Sequence, residues 1–247
     1  MPASEASPPL QTVILAGGLA TRLRPVTERL PKALVPVLGE PFVGHQLRLL
    51  KGHGLERIVL CVGYLGEQIE AYVGDGSRFG LRVTYVYDGP TLLGTGGALR
   101  QALPWLDRRF FVLYGDSYLP CAYAAVQAAF AETGKAGLMT VHRNEGCWDT
   151  SNVEFVDGLI TGYDKRSPRP TMRYIDYGLG VLSRDALAGV PAAGRYDLAD
   201  LYRALLDAGE LAGFEIQERF YEVGSRSGIE ALSAYLRRQS VGTHPPP

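Results

Sequence analysis

Residues 12–37 read TVILAGGLATRLRPVTERLPKALVPV: a short apolar run, a glycine pair, then a basic stretch held between prolines. The run Thr12 to Ala16 has the length and continuity of a strand buried on both faces. Gly17 and Gly18 follow it directly. Lacking Cβ atoms, they let backbone N–H groups approach an anion closely. Thr21, Arg22 and Arg24 add hydroxyl and guanidinium donors, and Pro31 and Pro36 stiffen the chain that presents Lys32. No Gly-Lys-Ser/Thr follows, so this is not a Walker loop, and the G-x-G-x-x-G spacing of a dinucleotide fingerprint is absent. Taken alone, a Gly-Gly turn is also a common strand-to-helix connection with surface cations nearby.

Outward from this segment, strands and helices alternate. Pro41 to Gly52 carries Phe42, Leu47 and Leu50 at helical spacing. Arg57 to Val62 reads as a second buried strand, Gly66 to Val73 as a short helix, and Arg82 to Tyr87 as a third strand. Gly96 to Leu103 reads as a helix and Arg109 to Tyr114 as a fourth strand. This alternation predicts an α/β fold, a mostly parallel sheet covered by helices on both faces. Ligands of such sheets bind beyond the carboxyl ends of the strands. Gly17-Gly18, the loop from Asp88 to Gly97, and Gly115-Asp116 all fall there. From Ala122 the pattern changes. Helices are expected over 124–132, 198–208 and 228–238, and strands over 137–142, 152–156, 159–163 and 178–182, with a tight turn at Asp157-Gly158. This half reads as an α+β extension of the same sheet, so residues 10–238 are expected to form a single domain.

Whole-chain properties narrow the classes. A chain of 247 residues with 46% hydrophobic content suits one large domain with a full core. The net charge of −1 implies no broad attraction to nucleic acid or to an anionic membrane. Any phosphate must therefore be met by a few placed cations. Cys61, Cys121 and Cys147 are far apart, which argues against a disulfide framework or a zinc site and fits a cytoplasmic location. No apolar stretch approaches the roughly 18 residues of a membrane span. Residues 1–9 lack a signal-peptide pattern and read as a disordered lead, and residues 240–247 as a disordered tail. Exposed apolar strands would support a homodimer.

Three further segments carry candidate chemistry. Asp116 follows a buried strand and a glycine, where a carboxylate holds a hard cation or caps the next turn. The loop Asp88-Gly89-Pro90-Thr91-Leu92-Leu93-Gly94-Thr95-Gly96-Gly97 enters a helix, where free N–H groups are expected. Tyr163-Asp164-Lys165-Arg166 is a charge cluster, either a ligand site or a solvated hairpin tip.

Read together, Gly-Gly-x-x-Thr-Arg-Leu-x-Pro-x-Thr from Gly17 and Pro-Lys-x-Leu-x-Pro-Val from Pro31 resemble the sugar-1-phosphate nucleotidylyltransferases. The Leu-Gly-Thr-Gly-Gly-Ala-Leu segment from Leu93 and the Phe220-Tyr221-Glu222-Val223-Gly224-Ser225 segment extend the resemblance. It implies a Rossmann-like, three-layer nucleotide-diphospho-sugar transferase fold, an NTP and a sugar 1-phosphate as substrates, and Mg²⁺ as cofactor. It further implies that Leu15, Ala16, Gly17, Gly18, Asp88, Gly94, Thr95 and Gly96 contact the nucleotide. Arg22 would bind the β/γ-phosphates and Lys32 would neutralise charge near the α-phosphate. Asp116 would bind the metal, with Glu222 as second ligand or as a structural strand-end residue. Asn152, Asp164, Lys165 and Tyr177 would hold the sugar phosphate, with Tyr174 a further candidate and a core role open for either tyrosine. Four positions depart from the family pattern: Ala20 for glycine, Asp164 for glutamate, Glu222 for aspartate and Ser225 for threonine.

The chemistry suits these residues. A sugar phosphate has a second pKa of about 6, the value for phosphorylated side chains, so it is already nucleophilic at neutral pH. Transfer then needs positioning and cations, not a general base. His45, His53, His142 and His244 lie in no motif, and neither a G-x-S-x-G elbow nor a cysteine nucleophile signature is present. The resemblance runs closest to heptose and mannose 1-phosphate guanylyltransferases. The stretch from Asp75 to Leu81 also looks like compact uridylyltransferases acting on hexose or muramic acid phosphates. A non-catalytic NDP-sugar-binding homologue is the remaining alternative; a glycosyltransferase would carry an Asp-x-Asp motif, which is absent.

Overall fold

The computed structural model describes residues 8–19, 26–144 and 146–241. In chain order the elements are β1 (Gln11–Ala16), the short strands β2 (Pro36–Val37) and β3 (Glu40–Pro41), α1 (Phe42–Gly52), β4 (Arg57–Val62), α2 (Gly66–Val73), β5 (Arg82–Tyr87), α3 (Gly94–Ala102), β6 (Arg109–Tyr114), β7 (Ser117–Tyr118), α4 (Tyr123–Thr133), β8 (Gly137–Arg143), β9 (Val153–Val156), β10 (Leu159–Tyr163), β11 (Tyr174–Ser183), α5 (Leu198–Asp207), β12 (Leu211–Glu215), β13 (Tyr221–Glu222) and α6 (Arg226–Val241).

The sheet has nine strands. β1 lies at its centre, parallel to β4 on one side and to β6 on the other, and β5 extends the parallel part beyond β4. β11 then pairs antiparallel with β6, and β8 antiparallel with β11. β1 is flanked on both sides and covered on both faces, which is why its sequence is an unbroken apolar run. Ile14 packs on one face with residues of α1, α2 and α4, while Val13 and Leu15 pack on the other with residues of α3 and α5. The result is the expected mixed, mostly parallel, three-layer α/β arrangement. A smaller cluster centred on Val37, Phe42, Tyr118, Tyr221 and Leu232 seats α6 against the short strands.

Several boundaries differ from the sequence reading. β11 begins at Tyr174, four residues before the expected Gly178, because its register slips between Asp176 and Gly180 and Gly178 adopts φ +95°. A bulge of this kind interrupts the alternation that periodicity reads. β12 was not expected; it joins the sheet only through parallel pairing with β8. The disordered lead does not reach Pro8, whose carbonyl accepts from Gln127 Nε2 at 2.9 Å. Nor does the tail begin at Ser240, since α6 runs to Val241. The turn Asp157-Gly158 is present, both residues at positive φ (49° and 81°), as a two-residue hairpin requires.

The carboxyl ends of β1 and β6 meet closely. Gly115 N–H donates to Leu15 O at 2.9 Å, and a methyl added at Gly115 would lie 2.7 Å from Ala16 Cβ and 3.0 Å from Leu15 O. These neighbours are backbone or the shortest of side chains and cannot swing away. Gly115→Ala is therefore expected to destabilise the protein by about 1–3 kcal/mol, the range for overpacking a tight site. The urea midpoint of the purified variant checks this.

Candidate active site

The chain leaves β1 for β4 and β5 on one side, then returns to β6 on the other. This reversal opens a crevice beyond the strand ends, the place where α/β sheets bind ligands. An open cleft of about 500 Å³ occupies it. One wall is Leu15, Ala16, Gly17 and Gly18, the floor holds Lys32 and Asp116, and the far wall carries Asp88, Gly94 and Thr95. Every one of these is a residue that the sequence reading assigned to the site.

Lys32 is presented by a 3-10 turn. Pro31 precedes it in an extended conformation, and Leu34 N–H closes the turn on Pro31 O at 2.8 Å. Its ammonium forms an ion pair with the Asp116 carboxylate. Asp116 itself is fixed by backbone contacts around it. Gln46, buried on α1, donates through Nε2 to Tyr114 O at 3.0 Å and Ser117 O at 2.8 Å. Val223 N–H donates to Asp116 O at 3.0 Å. The loop carrying Asp116 is thus held by a helix, a strand end and β13. Gln46 gave no sequence signal, because it looks like any polar residue in an amphipathic helix.

The far wall is built differently from expectation. The Gly96 and Gly97 N–H groups are not free: both donate to Tyr196 O, at 3.0 and 3.1 Å. Gly96 does not line the cleft, and a side chain there would strike Tyr196 and Asp197. Its glycine is needed for packing, not for an anion. Thr95 Oγ1 donates to Asp197 Oδ1 at 3.1 Å and accepts from Leu198 N–H at 2.8 Å. Arg195 and Asp197, which sequence reasoning missed, complete the cleft lining. Asp88 accepts from Leu93 N–H at 3.2 Å and crowds Gly17 and Gly63. Burial pushes its carboxyl above the usual aspartate range, with the Leu93 N–H working against that.

Lys165 lies beside the cleft. Its ammonium is 2.9 Å from Asp176 and donates to Tyr114 Oη at 3.2 Å; Tyr114 in turn lines the cleft. Burial opposes its charge, but Asp176 and the tyrosine oxygens outweigh it, and the ammonium is held well above its ordinary pKa. The acid that partners Lys165 is Asp176, which sequence reasoning did not single out. Asp164 accepts instead from Arg166 N–H and Ser167 N–H and pairs with Arg203 at 3.1 Å, a turn-capping role. Asn152 is also a positioning residue: its Oδ1 accepts from Asp176 N–H at 3.0 Å. Tyr177 is a core residue, 1% exposed and packed against Phe220 and His142, so a sugar cannot reach it.

Glu222 pairs through β13 with Ser117, one residue past Asp116. It lines a separate cavity and not the cleft itself. No cluster of three or more metal-ligating side chains exists among the described residues. Hard oxygen donors are nonetheless present in Asp116 and Glu222, and a magnesium site typically needs only one or two carboxylates, with substrate phosphates and water completing it. Arg22 and Ala20 lie outside the described residues.

Residues 11–146 match the family model described as "Nucleotidyl transferase". The chain is 29% identical over 217 residues to a UTP–glucose-1-phosphate uridylyltransferase of Synechocystis, covering 81% of this chain but only 56% of that protein. It is 30% identical to the N-acetylmuramate alpha-1-phosphate uridylyltransferase of Neisseria meningitidis, over 91% of this chain and 97% of the relative. It is 34% identical to the D-glycero-alpha-D-manno-heptose 1-phosphate guanylyltransferase of Campylobacter jejuni, over 71% of this chain and 77% of the relative. Among solved structures, a putative glucose-1-phosphate thymidylyltransferase of Bacillus anthracis superposes with TM-score 0.81 at 21% identity, covering 92% of this chain and 95% of that one. This last likeness concerns the fold.

The raised carboxyl of Asp88 has a consequence for stability. The folded protein binds that proton more tightly than the unfolded chain, so ionised Asp88 destabilises the fold at neutral pH, and the penalty fades as pH falls through its folded pKa. Asp88→Asn is expected to raise the thermal midpoint at neutral pH, with a gain that shrinks as pH falls through the raised carboxyl pKa of Asp88. Differential scanning fluorimetry of both proteins across that range checks it.

Proposed function

Because the chain belongs to the nucleotidyl transferase family, we propose that it joins a nucleoside monophosphate unit to a sugar 1-phosphate, releasing pyrophosphate. The observation that carries this is the contact of Lys32 with Asp116 on the floor of a glycine-walled cleft at the point where the sheet reverses. A triphosphate laid along Gly17 and Gly18 would bring its α-phosphate to Lys32. Arg22 would take the β- and γ-phosphates. Lys165, beside Tyr114, would receive the sugar 1-phosphate.

The steps follow from charge and position. Lys165 holds the acceptor phosphate, whose oxygen attacks the α-phosphorus in line with the departing pyrophosphate. Lys32 offsets the charge that grows on the α-phosphoryl oxygens. Asp176 keeps Lys165 ionised and oriented. Asp116, aided by Glu222, would hold Mg²⁺, which supplies Lewis-acid neutralisation of the phosphates.

We favour GTP as the donor and a heptose or mannose 1-phosphate as the acceptor. Asp88 supports the base. A carboxylate only accepts hydrogen bonds when ionised. Guanine offers N1–H and its exocyclic amine side by side, whereas uracil offers one N–H between two carbonyls that a carboxylate repels. The Campylobacter relative is a guanylyltransferase by name. A uridylyltransferase acting on a hexose or muramic acid phosphate is the second reading, favoured by the Neisseria relative, which matches over almost its whole length.

Two measurements test the proposal. Pyrophosphate release from a matrix of nucleoside triphosphates against sugar 1-phosphates with MgCl₂ should peak with GTP, and Lys32→Ala should lower turnover about a hundredfold or more. No release from any pair would refute the reaction. Asp88→Asn should lower kcat/KM for GTP about tenfold, the loss of one charged hydrogen bond, and raise it for UTP, whose edge an amide complements. Unchanged base preference would remove Asp88 from base reading.

A further inference from the structure

A second cavity, of about 470 Å³, opens next to the cleft between Trp148, Arg219, Glu222 and the start of α6. It begins close to the reaction centre, since Glu222 is β-paired with Ser117 and Val223 N–H bonds Asp116 O. Its size suits a small-molecule site, about 300–1,000 Å³.

Trp148 is half exposed, at 49% of its surface, yet it is held in place. Asn144 does this while almost fully buried, at 1% exposure. Its Oδ1 accepts from Trp148 N–H at 3.1 Å, and its Nδ2 donates to Asp149 O at 2.6 Å and Ser151 Oγ at 2.9 Å. The loop also stands on the strand that orients Lys165. Asn144 N–H donates to Arg173 O and Asn152 N–H to Tyr174 O, two short steps from Asp176. Asn144 thus fixes the backbone of the loop that presents the half-exposed indole.

Its neighbour is equally unusual. The Arg219 guanidinium lies 3.6 Å from the centre of the Trp148 ring and 4.9 Å from that of Tyr221. Arg219 Nε has no hydrogen-bond partner among the described residues, although Glu222 and Asp149 line the same cavity. The guanidinium stacked beside a half-exposed indole gives the cavity a flat wall of π faces, which suits the apolar C–H face of a sugar ring.

We infer that Trp148 and Arg219 form the wall that recognises the sugar portion of the acceptor, and so set which sugar 1-phosphate is used. This rests on the acceptor being a sugar 1-phosphate, as proposed above. Neither residue touches the transferred phosphoryl group; they act on acceptor binding and specificity.

The test uses the chain's own fluorescence. It has two tryptophans, and the other, Trp105, sits near the start of β1, at the opposite end of the sheet, where its carbonyl accepts from Gln11 Nε2. In a Trp105→Phe background Trp148 is the sole tryptophan, excited selectively over the tyrosines at the red edge of the absorption band. Titration with mannose 1-phosphate and glucose 1-phosphate should give a saturable change in its emission with the acceptor that binds, and inorganic phosphate should give none. In turnover, Trp148→Ala should raise KM for the sugar 1-phosphate about five- to tenfold, leave KM for the triphosphate within twofold, and be rescued largely by Trp148→Phe. Arg219→Met should shift the ranking among sugar 1-phosphates. An emission that ignores every sugar phosphate, or a Trp148→Ala enzyme with unchanged acceptor KM, overturns the inference. An emission response without pyrophosphate release overturns the proposed reaction and leaves the binding wall standing.

Discussion

The close approach of β1 and β6 at their carboxyl ends is the constraint on which the rest depends. Only a residue without a side chain fits at Gly115 against Ala16 and Leu15. That contact sets Asp116 across from Gly17 and within reach of Lys32. Gln46 then ties the same loop to α1, so the floor of the cleft inherits the rigidity of the sheet and of one helix. A charged pair on such a floor needs little reorganisation when charge develops above it.

Much of this was legible in the sequence because it is local. An apolar run followed by glycines reads as a buried strand and a turn, and proline-flanked Lys32 reads as a presented cation. Gly-Asp after a strand reads as a carboxylate at a strand end. The parts that were not legible are those made by distant segments. Asp164 stands next to Lys165 in the chain, but its carboxylate is taken up by the turn at Arg166 and Ser167 and by Arg203, and Asp176 arrives from β11. Tyr177 follows Asp176 directly, yet successive strand residues face opposite sides, so one joins Lys165 and the other enters the core. The bulge at Gly178 hid the beginning of that strand altogether.

The site also contains groups that oppose folding. Asp88 is buried without a cation partner among the described residues, and burial works against its ionised form. Arg219 stacks on rings with Nε unpartnered. Each lines a cavity. Local conflict with stability at ligand-facing positions is what a functional surface requires of an otherwise consistent sequence.

The carbonyl of Tyr196 bears on motion. By accepting from both Gly96 and Gly97, it closes the amino end of α3 with a residue placed just before α5, and Thr95 adds a hydroxyl link to Asp197 and Leu198. The wall of the cleft and the start of α5 therefore form one cooperative unit, in which neither segment can open without exposing the donors of the other. The backbone amides of Gly96, Gly97 and Leu198 are then expected to exchange with solvent through a common opening of that unit.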